Sequence, residues 1–524
     1  MEFELTIKNY RCFPETHPVK FSLKKGFTAL VGINNAGKSS LLKFFYEFRD
    51  LFQHISEPNN FKNSMAGSIG SSYPETVLDP EELFSNTNDK DLNIEISTTL
   101  QEERRKITSQ AKLVITVNRR TQQSNLRLQI NGQNIEYNTI ILNGSSFKTF
   151  GKIDYDLNTF LEIFRLLANT IYIGAFRNAI NIGTQKNYFD MQIGQAFIHQ
   201  WRTLKEGKVK RSNKSAIRIT QDIKQIFEYD TLEINPSDDN ESLTINANEQ
   251  SYKLHELGSG ISQFIMALVS ASIKNPSFIL IDEPEINLHP SLQLDFLTSL
   301  ASYATEGIIF STHSIGLARA SADYIFSVRR LEEGVSTISS YDKTSNLAVF
   351  IGELSYSNYN QLGFEKILLV EGVTEVKCIQ QFLRKYKKDH QIVLVPLGGN
   401  QFIKNKAIDE LLELTRITKK IYALIDSERK SETEEVSKER LEFQKNCKEA
   451  GITCHILERR ATENYFTESA IQNVFSEKYK ALEPFQKLNQ ENPSWSKNDN
   501  WRIAREMSLD DIKNTDLGKF LNDL

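Results

Sequence analysis

The alternation of apolar and polar positions predicts that the chain begins with a strand, a loop and a helix. Residues 2–8 alternate as a half-buried strand does, and residues 27–31 form an apolar run that leads into a glycine-rich turn. Apolar side chains then recur at helical spacing over residues 39–52. This order is typical of the first part of an α/β domain.

The next part of the chain carries more varied patterns. Residues 54–90 are rich in Asn, Ser, Pro and Gly and are predicted to form a surface loop. Strand-like runs follow, and the step Asn131-Gly132 predicts a hairpin turn after one of them. Two helices are predicted further on, at residues 155–170 and 219–228.

From residue 278 onward, short apolar strands alternate with helices, which predicts a mostly parallel sheet. The predicted strands lie at residues 278–281, 308–311, 324–328, 367–370, 392–395, 421–425 and 452–457. A domain boundary is predicted near residues 345–364, where residues 355–360 have the composition of a linker. We therefore expect an α/β fold in three parts: residues 1–345 with a β-rich and helical insertion at about 54–240, residues 364–475, and a helical tail at 476–524.

Length and composition fit a multidomain globular protein. A chain of 524 residues exceeds the ~100–200 residues of a usual domain. No run approaches the ~20 apolar residues that span a bilayer, and the N-terminus lacks the pattern of a signal peptide. We therefore expect a cytoplasmic protein with no membrane partner. The cysteines (Cys12, Cys378, Cys447 and Cys454) are scattered and indicate neither a disulfide framework nor a zinc site.

The net charge of −4 means that nucleic-acid binding would need a local concentration of positive charge. The densest basic stretch, residues 202–218, has seven Lys and Arg against one Glu. Within it, residues 208–214 follow a glycine and are interrupted by Ser-Asn, so they are predicted to form a flexible loop. Two interpretations stay open: a solvated insertion loop, or a loop that contacts DNA phosphates.

Residues 32–39 (Gly-Ile-Asn-Asn-Ala-Gly-Lys-Ser) match the phosphate-binding pattern G-x-x-x-x-G-K-[ST] between a strand and a helix. The backbone N–H groups of such a loop and the N-terminus of its helix cradle phosphates. The lysine reaches the β and γ oxygens, and the serine hydroxyl binds Mg²⁺. The predicted ATP-binding residues here are Asn34, Asn35, Ala36, Gly37, Lys38, Ser39 and Ser40.

A second motif, residues 277–284 (Ser-Phe-Ile-Leu-Ile-Asp-Glu-Pro), is an apolar strand that ends in two carboxylates. In an ATPase, Asp282 would hold the Mg²⁺ ion together with Ser39. Glu283 would position and deprotonate the attacking water. The two motifs together predict an ATPase with ATP and Mg²⁺ as its ligands.

This combination resembles the ABC ATPase family, in particular its soluble RecF-, SMC- and Rad50-like branch, over about residues 1–340. The resemblance extends to residues 8–13 (Lys-Asn-Tyr-Arg-Cys-Phe) at the opening strand and to a D-loop at residues 287–290 (Asn-Leu-His-Pro). It also identifies His313 as a switch histidine and residues 257–263 (Leu-Gly-Ser-Gly-Ile-Ser-Gln) as a signature motif. This signature departs from the more usual Leu-Ser-Gly-Gly-Gln.

The resemblance to ABC ATPases implies an ATP site shared between two copies of the chain. Ser259 and Gly260 of one copy would bind the γ-phosphate held by the other, so the protein is expected to be at least a dimer. The interval before the signature lacks long heptads, so a coiled coil of SMC or Rad50 length is not expected.

In the C-terminal third, apolar strands again end in carboxylates. Glu371 follows one strand, Asp426 and Glu428 follow a later one, and Glu463 lies beyond the last. Functional groups collect beyond the carboxyl ends of parallel strands, and carboxylates that converge there repel one another unless hard cations lie among them. The predicted Mg²⁺ or Mn²⁺ ligands are Glu371, Glu375, Asp426, Glu428 and Glu463.

The Glu-Gly and Asp-x-Glu elements resemble a Toprim domain, a Rossmann-like parallel sheet, with Glu428 in place of a second Asp. Joined to an ABC-type P-loop ATPase head, they resemble the OLD (overcoming lysogenization defect) family of nucleases over essentially the whole chain. The run Arg-x-x-x-Glu-Asn-Tyr around Glu463 resembles that family's late acidic element. The resemblance implies a metal-dependent DNA endonuclease; its catalytic residues would be Glu371, Asp426 and Glu463, with Glu283 and His313 in the ATPase half.

The resemblance also implies partners. These are DNA, further copies of the chain in a homodimer or homotetramer joined through the ATPase heads, and, in anti-phage defence, a partner protein or a retron-type RNA–DNA element. A downstream lysine would assist catalysis, and the sequence does not choose among Lys478, Lys480, Lys497 and Lys519. The alternative is a non-cleaving ATP-dependent DNA clamp or sensor of RecF/SMC type. A topoisomerase or primase is a third interpretation, but no breakage-reunion or zinc module accompanies these motifs.

Overall fold

The computed structural model describes residues 3–101, 108–143, 146–149, 154–175, 187–237, 242–286, 288, 290–331, 334–341, 366–389, 391–398, 403, 411–412, 414–415, 420–491 and 493–524. The chain forms two compact units. The first consists of Met1–His289, Asp295–His313 and Phe326–Tyr341, and the second of Pro290–Leu294, Ser314–Ile325 and Asp342–Leu524. The predicted linker at residues 355–360 lies outside the described residues.

Up to residue 341 the elements are β1 (Phe3–Lys8), β2 (Val19–Leu23), β3 (Gly26–Val31), α1 (Lys38–Glu47), α2 (Arg49–Ile55), α3 (Pro58–Ala66), β4 (Ile69–Gly70), β5 (Leu92–Gln101), β6 (Thr108–Val117), β7 (Gln123–Ile130), β8 (Gln133–Ile135), β9 (Ile140–Asn143), β10 (Ser146–Thr149), α4 (Asn158–Ala168), β11 (Thr170–Ile173), β12 (Asn187–Tyr188), β13 (Met191–Gln192), α5 (Gly194–Glu206), α6 (Lys210–Ile226), β14 (Leu232–Pro236), β15 (Leu243–Ala247), β16 (Gln250–Lys253), α7 (Ser259–Lys274), β17 (Phe278–Asp282), α8 (Pro290–Ala301), β18 (Gly307–Thr312), α9 (Ile315–Ser321), β19 (Tyr324–Arg330) and β20 (Ser336–Ser340). From residue 366 they are β21 (Lys366–Val370), α10 (Val373–Lys385), β22 (Ile392–Pro396), β23 (Ile421–Ile425), α11 (Lys438–Glu449), β24 (Thr453–Ile456), α12 (Glu468–Val474), α13 (Asn500–Glu506), α14 (Leu509–Ile512) and α15 (Asp516–Asp523).

An antiparallel sheet in the first unit has the strand order β2-β1-β5-β6-β7-β4, and β8 pairs with β7. Alternate residues of β5 and β6 are buried, because one face of the sheet packs on the core. The predicted hairpin at Asn131-Gly132 is confirmed: both residues have positive φ (49° and 79°) between β7 and β8.

The predicted surface loop at residues 54–90 is wrong in part, because α3 lies within it. The helix starts at Pro58 and buries Phe61 completely. The ring centroid of Phe61 lies 5.3 Å from that of Phe147 and 6.3 Å from that of Phe164. The polar composition hid this helix, since a single aromatic side chain anchors it to the core.

A mixed sheet of the first unit has the order β11-β17-β18-β3-β19-β20, with β19 and β20 antiparallel. The first four strands pair in parallel, and every residue of β17 and β18 is buried, so the apolar strands predicted there are confirmed. The register places Asp282 beside Ser311 and Thr312 beside Val31. The carboxyl ends of β3, β17 and β18 therefore meet at one edge of the sheet.

Helix α6 corrects the predicted flexible loop at residues 208–214. The helix starts at Lys210, well before the predicted helix at residues 219–228. Ala216 and Ile219 continue the helical spacing of the apolar residues that follow, and both are buried. The charged residues that suggested a loop occupy the exposed side of this helix.

The second unit contains a four-stranded parallel sheet with the order β22-β21-β23-β24, so the strands predicted there are confirmed. Successive residues of β21 belong to opposite cores. Leu368 shares a core with Leu521 of α15, whereas Leu369 shares one with Phe443 of α11. Helices thus cover both faces of the sheet, and the C-terminal tail supplies part of that cover. Within the described residues, no helix is long and apolar enough to cross a membrane.

Candidate functional site

The loop between β3 and α1 depends on two glycines that leave no room for a side chain. Gly37 has a φ of 99°, and a Cβ there would lie 2.7 Å from Cys12 Sγ. A Cβ on Gly32 would lie 2.2 Å from the Val328 carbonyl oxygen. The loop therefore packs directly against Cys12 and the backbone of Val328. Asn34, Asn35 and Ala36 lie in this loop, and Ser40 lies in the first turn of α1.

The ammonium group of Lys38 is folded back onto this loop. Its Nζ atom donates to the carbonyl oxygens of Gly32 (2.9 Å) and Ile33 (3.0 Å) and lies 3.4 Å from both ring nitrogens of His313. Burial lowers the pKa of Lys38, and nearby carboxylates, chiefly Glu283, act in the opposite direction. The cation thus lies at the edge of the sheet where the strands end.

The structure brings the side chains of Ser39 and Asp282 into contact. Ser39 Oγ donates to Asp282 Oδ1 (2.9 Å), and Ser311 Oγ donates to the same oxygen. The hydroxyl of Tyr172 donates to the other oxygen, Oδ2 (3.3 Å). Sequence reasoning missed Tyr172, because it lies in a buried strand with no motif around it.

Glu283 and His313 lie within hydrogen-bonding distance of each other. The His313 Nε2 atom is 2.9 Å from Glu283 Oε1. Glu283 has a positive φ (53°) directly after β17, and its N–H donates to the Ser311 carbonyl oxygen (3.2 Å). A carboxylate and an imidazole at this distance can hold and transfer a proton.

A third carboxylate, that of Glu285, holds the His313 segment in place. Its Oε1 atom accepts hydrogen bonds from Thr312 Oγ1 (2.7 Å) and from the His313 N–H (2.9 Å). Its Oε2 atom is buried and has no hydrogen-bond partner among the described residues. Sequence reasoning missed Glu285, although it follows Asp282-Glu283-Pro284 directly.

The segment at residues 8–13 anchors α1. The Tyr10 hydroxyl donates to Glu47 Oε2 (2.6 Å), and an Arg11 guanidinium nitrogen lies 2.5 Å from Glu47 Oε1. Burial raises the pKa of Glu47, and Arg11 opposes this effect. A buried carboxylate with a cation and a hydroxyl as partners fixes the helix that starts at Lys38.

The signature residues Ser259 and Gly260 open helix α7, with Gly258 as its N-cap. A Cβ on Gly258 would have no atom within 4 Å. The Ser259 side chain lies outside the described residues, as do Asn287 and His289 of the D-loop motif.

In the second unit, three carboxylates gather around that of Asp426. Asp426 Oδ1 accepts hydrogen bonds from Thr462 N–H (3.1 Å) and Thr462 Oγ1 (3.3 Å), and the residue is 3% exposed. Burial raises its pKa well above the usual value, and Glu371, Glu375 and Glu463 raise it further. The structure therefore brings together four of the five predicted metal ligands.

Two cations accompany these acids, a buried Arg440 and a Lys497 whose side chain is 43% exposed. An Arg440 Nη1–Glu371 Oε1 ion pair spans 2.8 Å, and a Lys497 Nζ–Glu463 Oε1 ion pair spans 2.9 Å. Burial lowers the pKa of Lys497, but the carboxylates of Glu463, Asp426 and Glu375 outweigh it and raise that pKa overall. All four candidate lysines are exposed, and Lys497 is the one whose ammonium contacts the acidic cluster. Among the described residues, Lys478, Lys480 and Lys519 form no ion pair with its acids.

Glu375 lies against the glycine that follows Glu371. A Cβ on Gly372 would lie 2.9 Å from Glu375 Oε2. Burial raises the pKa of Glu375, Lys497 lowers it and Glu371 raises it again, with a raised value as the result. Gly372 thus leaves space for a carboxylate one helical turn beyond Glu371.

Glu428 has another partner. Its carboxylate forms an ion pair with Arg460, and its N–H donates to the Arg460 carbonyl oxygen (2.8 Å). Its φ of 57° is in the left-handed region. The ion pair with Arg460 satisfies the charge of Glu428 without a metal ion.

One feature of the acidic cluster suits a cation. Glu463 Oε2 is buried and has no hydrogen-bond partner among the described residues. A cation or a hydrogen-bond donor that reaches a buried, unpartnered carboxylate oxygen stabilises it. Over the same residues, no group of three or more His, Cys, Asp or Glu side chains already has the arrangement of a metal site. Two of the four carboxylates, those of Glu371 and Glu463, instead form ion pairs with Arg440 and Lys497.

Comparisons with known proteins concern the larger part of the chain. Three solved structures are similar to this chain, with TM-scores of 0.34 to 0.38. The SMC head domain from Thermotoga maritima is 15% identical, with 65% of this chain and 98% of that chain covered and a TM-score of 0.34. An SmcHead bound to the C-winged helix domain of ScpA is 14% identical (65% and 97% covered, TM-score 0.38).

A third structure is an Smc head domain with an extended coiled coil, bound to the C-terminal domain of ScpA derived from Pyrococcus furiosus. It is 12% identical, covers 68% of this chain and 100% of its own, and has a TM-score of 0.34. A search of curated proteins gave no match. The profile of the AAA_15 family, described as an AAA ATPase domain, matches residues 1–318. With more than half of its length matched, this chain belongs to the AAA_15 family of AAA ATPase domains.

Proposed function

We propose that the protein couples ATP hydrolysis in the first unit to metal-dependent DNA cleavage in the second, as an endonuclease of the OLD type in anti-phage defence. One observation carries the proposal: Glu371, Glu375, Asp426 and Glu463 gather at one place, and Lys497 lies among them. A cluster of buried acids is a costly arrangement for a module that only grips phosphates. It is a natural one for a module that binds divalent cations.

In the ATPase unit, each side chain at the strand ends has a proposed task. Lys38 would exchange the carbonyl oxygens of Gly32 and Ile33 for phosphate oxygens, because its ammonium already lies at the loop. Ser39 and Asp282 would hold Mg²⁺, which offsets the charge of the phosphates. Glu283 would accept the proton of the attacking water, with His313 as its hydrogen-bond partner.

A second copy of the chain would complete this site. Ser259 and Gly260 begin α7, and an exposed helix N-terminus is suited to a γ-phosphate presented by another protomer. This arrangement supports a homodimer, or a homotetramer built from two such pairs. A partner protein or a retron-type RNA–DNA element belongs to the proposed defence role, and no described residue identifies either.

Replacement of Glu283 by Gln should lower the ATPase rate by ~10²-fold or more, because the amide cannot accept a proton from water. ATP binding should persist, since Lys38 and Ser39 are unchanged. Phosphate release and binding of a fluorescent ATP analogue measure the two properties separately. Wild-type turnover in Glu283→Gln would show that another group is the base.

Glu285 should act as a positioning residue. Glu285→Ala removes the acceptor of Thr312 Oγ1 and of the His313 N–H, and kcat for ATP should fall ~10-fold, in line with about 1.5 kcal/mol for hydrogen bonds to a charged acceptor. The KM should change little, because neither donor binds ATP in this arrangement. Glu285→Gln keeps an acceptor oxygen and should recover most of the rate. An unchanged kcat in Glu285→Ala contradicts the role.

At the acidic cluster, the residues of the chain would bind and orient the metal and the scissile phosphate. Glu371, Asp426 and Glu463 would hold Mg²⁺ or Mn²⁺, with Glu375 as a further ligand. A bound divalent cation polarises the phosphodiester and makes water a stronger nucleophile. Arg440 would hold the Glu371 carboxylate in place through their ion pair, and Lys497 would neutralise the phosphate charge that develops during cleavage.

Asp426→Asn should abolish cleavage of plasmid DNA in Mg²⁺ or Mn²⁺ while ATP hydrolysis stays within a few fold, because the two sites lie in different units. Glu428→Gln is the matched control: its carboxylate pairs with Arg460, so cleavage should persist. Undiminished cleavage in Asp426→Asn would remove the nuclease assignment.

Thermal unfolding gives the Asp426 variant a readout that does not depend on cleavage. Because the pKa of Asp426 is raised in the folded protein, the metal-free fold loses stability as pH rises from the ordinary aspartate pKa through the raised one. Mn²⁺ should offset this loss. The Mn²⁺-dependent rise in Tm should therefore grow with pH in the wild type and be smaller in Asp426→Asn.

Lys497→Met should lower the cleavage rate at saturating Mn²⁺ by ~10²-fold, the usual effect of losing one donor to a developing oxyanion. Lys497→Arg should recover part of it, and Lys478→Met, at an exposed position, should have no effect. If Lys497 served only as a partner of Glu463, the Mn²⁺ concentration dependence would change and the saturating rate would not.

The presence of Arg440 and Lys497 also favours a second candidate, a non-cleaving ATP-dependent DNA clamp or sensor. In that case the two ion pairs would be permanent, and the cluster would hold no metal ion. The absence of any effect of Mn²⁺ on Tm, together with intact DNA binding, would select this candidate.

A further inference from the structure

Helix α6 has an exposed face that is rich in cations and lies outside both sites described above. Its buried side consists of Ala216, Ile219, Ile223 and Ile226, with Asp222 bonded to the Tyr303 hydroxyl (3.0 Å). On the exposed side lie Lys210, Arg211 and Lys214, preceded by Lys208. We call these four residues the basic face.

The cations of the basic face are not paired with carboxylates of the described residues. Arg202 and Lys205, earlier in the same stretch, are engaged with the carbonyl oxygens of Ser237 (2.6 Å) and Ile234 (2.7 Å). By contrast, no carboxylate of the described residues forms an ion pair with any residue of the basic face. In a protein with a net charge of −4, three cations on one helix and a fourth just before it are a local reversal of sign.

We propose that the basic face binds the sugar–phosphate backbone of duplex DNA. This inference rests on the proposed function, in which DNA is the substrate. It adds a DNA-binding surface that is separate from the metal site. Lys210 and Lys214 are four residues apart, about 6 Å along the helix axis at ~1.5 Å per residue, which is comparable to the ~7 Å rise of two nucleotides in one strand of a duplex. Cations at this spacing can reach neighbouring phosphates.

An anionic membrane is the competing partner for a basic helix. A helix that lies in a membrane surface needs a broad apolar face of its own to insert. The apolar face of α6 is buried in the protein, and the large apolar residues exposed beside the cations are Val209 (60%) and Ile217 (58%). The charge is therefore available for an aqueous polyanion, while the apolar surface is insufficient for insertion.

The test compares two quadruple variants of the full-length protein. In the first, Lys208, Lys210, Arg211 and Lys214 are replaced by Ala. In the second, the same positions keep their charge as Lys208→Arg, Lys210→Arg, Arg211→Lys and Lys214→Arg. Binding of a labelled 30-base-pair duplex is measured in EDTA over a series of salt concentrations, and vesicles that contain phosphatidylserine are the second probe.

The alanine variant should bind the duplex more weakly, and the slope of log K against log salt should flatten by about 0.9 for each phosphate that the protein no longer neutralises. The charge-preserving variant should keep the wild-type slope, and ATP hydrolysis without DNA should be equal in all three proteins. An unchanged slope in the alanine variant overturns the proposal, and so does a loss confined to vesicle binding.

These outcomes separate the basic face from the nuclease assignment. Wild-type protein that cuts DNA, with an alanine variant that keeps the wild-type slope, refutes the basic face alone. Wild-type protein that binds DNA through the basic face but does not cut it with any divalent metal refutes the nuclease alone.

Discussion

The carboxylate of Asp282 is the point on which the first site depends. It receives hydrogen bonds from Ser39 on α1, Ser311 on β18 and Tyr172 on β11, so one acid at the end of β17 connects three neighbouring elements. These donors reach it because β11, β17 and β18 are parallel and in register. A shift of β17 by one residue would turn Asp282 to the other face of the sheet and break all three hydrogen bonds at once.

The two sites solve the problem of buried charge in different ways. The Asp282 carboxylate accepts hydrogen bonds from three neutral hydroxyl groups. Asp426 has three other carboxylates nearby, which together with burial raise its pKa, and Arg440 and Lys497 offset part of that repulsion through Glu371 and Glu463. Positive charge near Asp426 would therefore lower its raised pKa, as Lys497 already does.

Local patterns in the sequence were sufficient for the strands and for the acids at their ends. Buried apolar runs such as residues 278–281 and 421–425 coincide with strands, and Asp282 and Asp426 follow from them directly. What the sequence could not give were partners distant along the chain. The hydrogen bond between Glu285 and Thr312, the choice of Lys497, and the pairing of Glu428 with Arg460 all depend on which loops meet in space.

The wrong prediction at residues 208–214 has the same origin, since charge and Ser-Asn steps describe only one side of a helix. The spacing of Ala216 and Ile219 was the pattern that indicated a helix. These two residues stabilise the helix because they are buried in the protein core, and the local sequence does not show that burial.

The close approach of Gly37 to Cys12 limits the amino-acid substitutions that these two positions can accept. The place that a Cβ on Gly37 would occupy lies 2.7 Å from Cys12 Sγ, so the two positions share one volume. A larger side chain at either position uses space that the other already needs, and the effects of substitutions at the two will not add. The size of the side chain at position 12 is thus limited by the phosphate-binding loop, although 24 residues of sequence lie between Cys12 and Gly37.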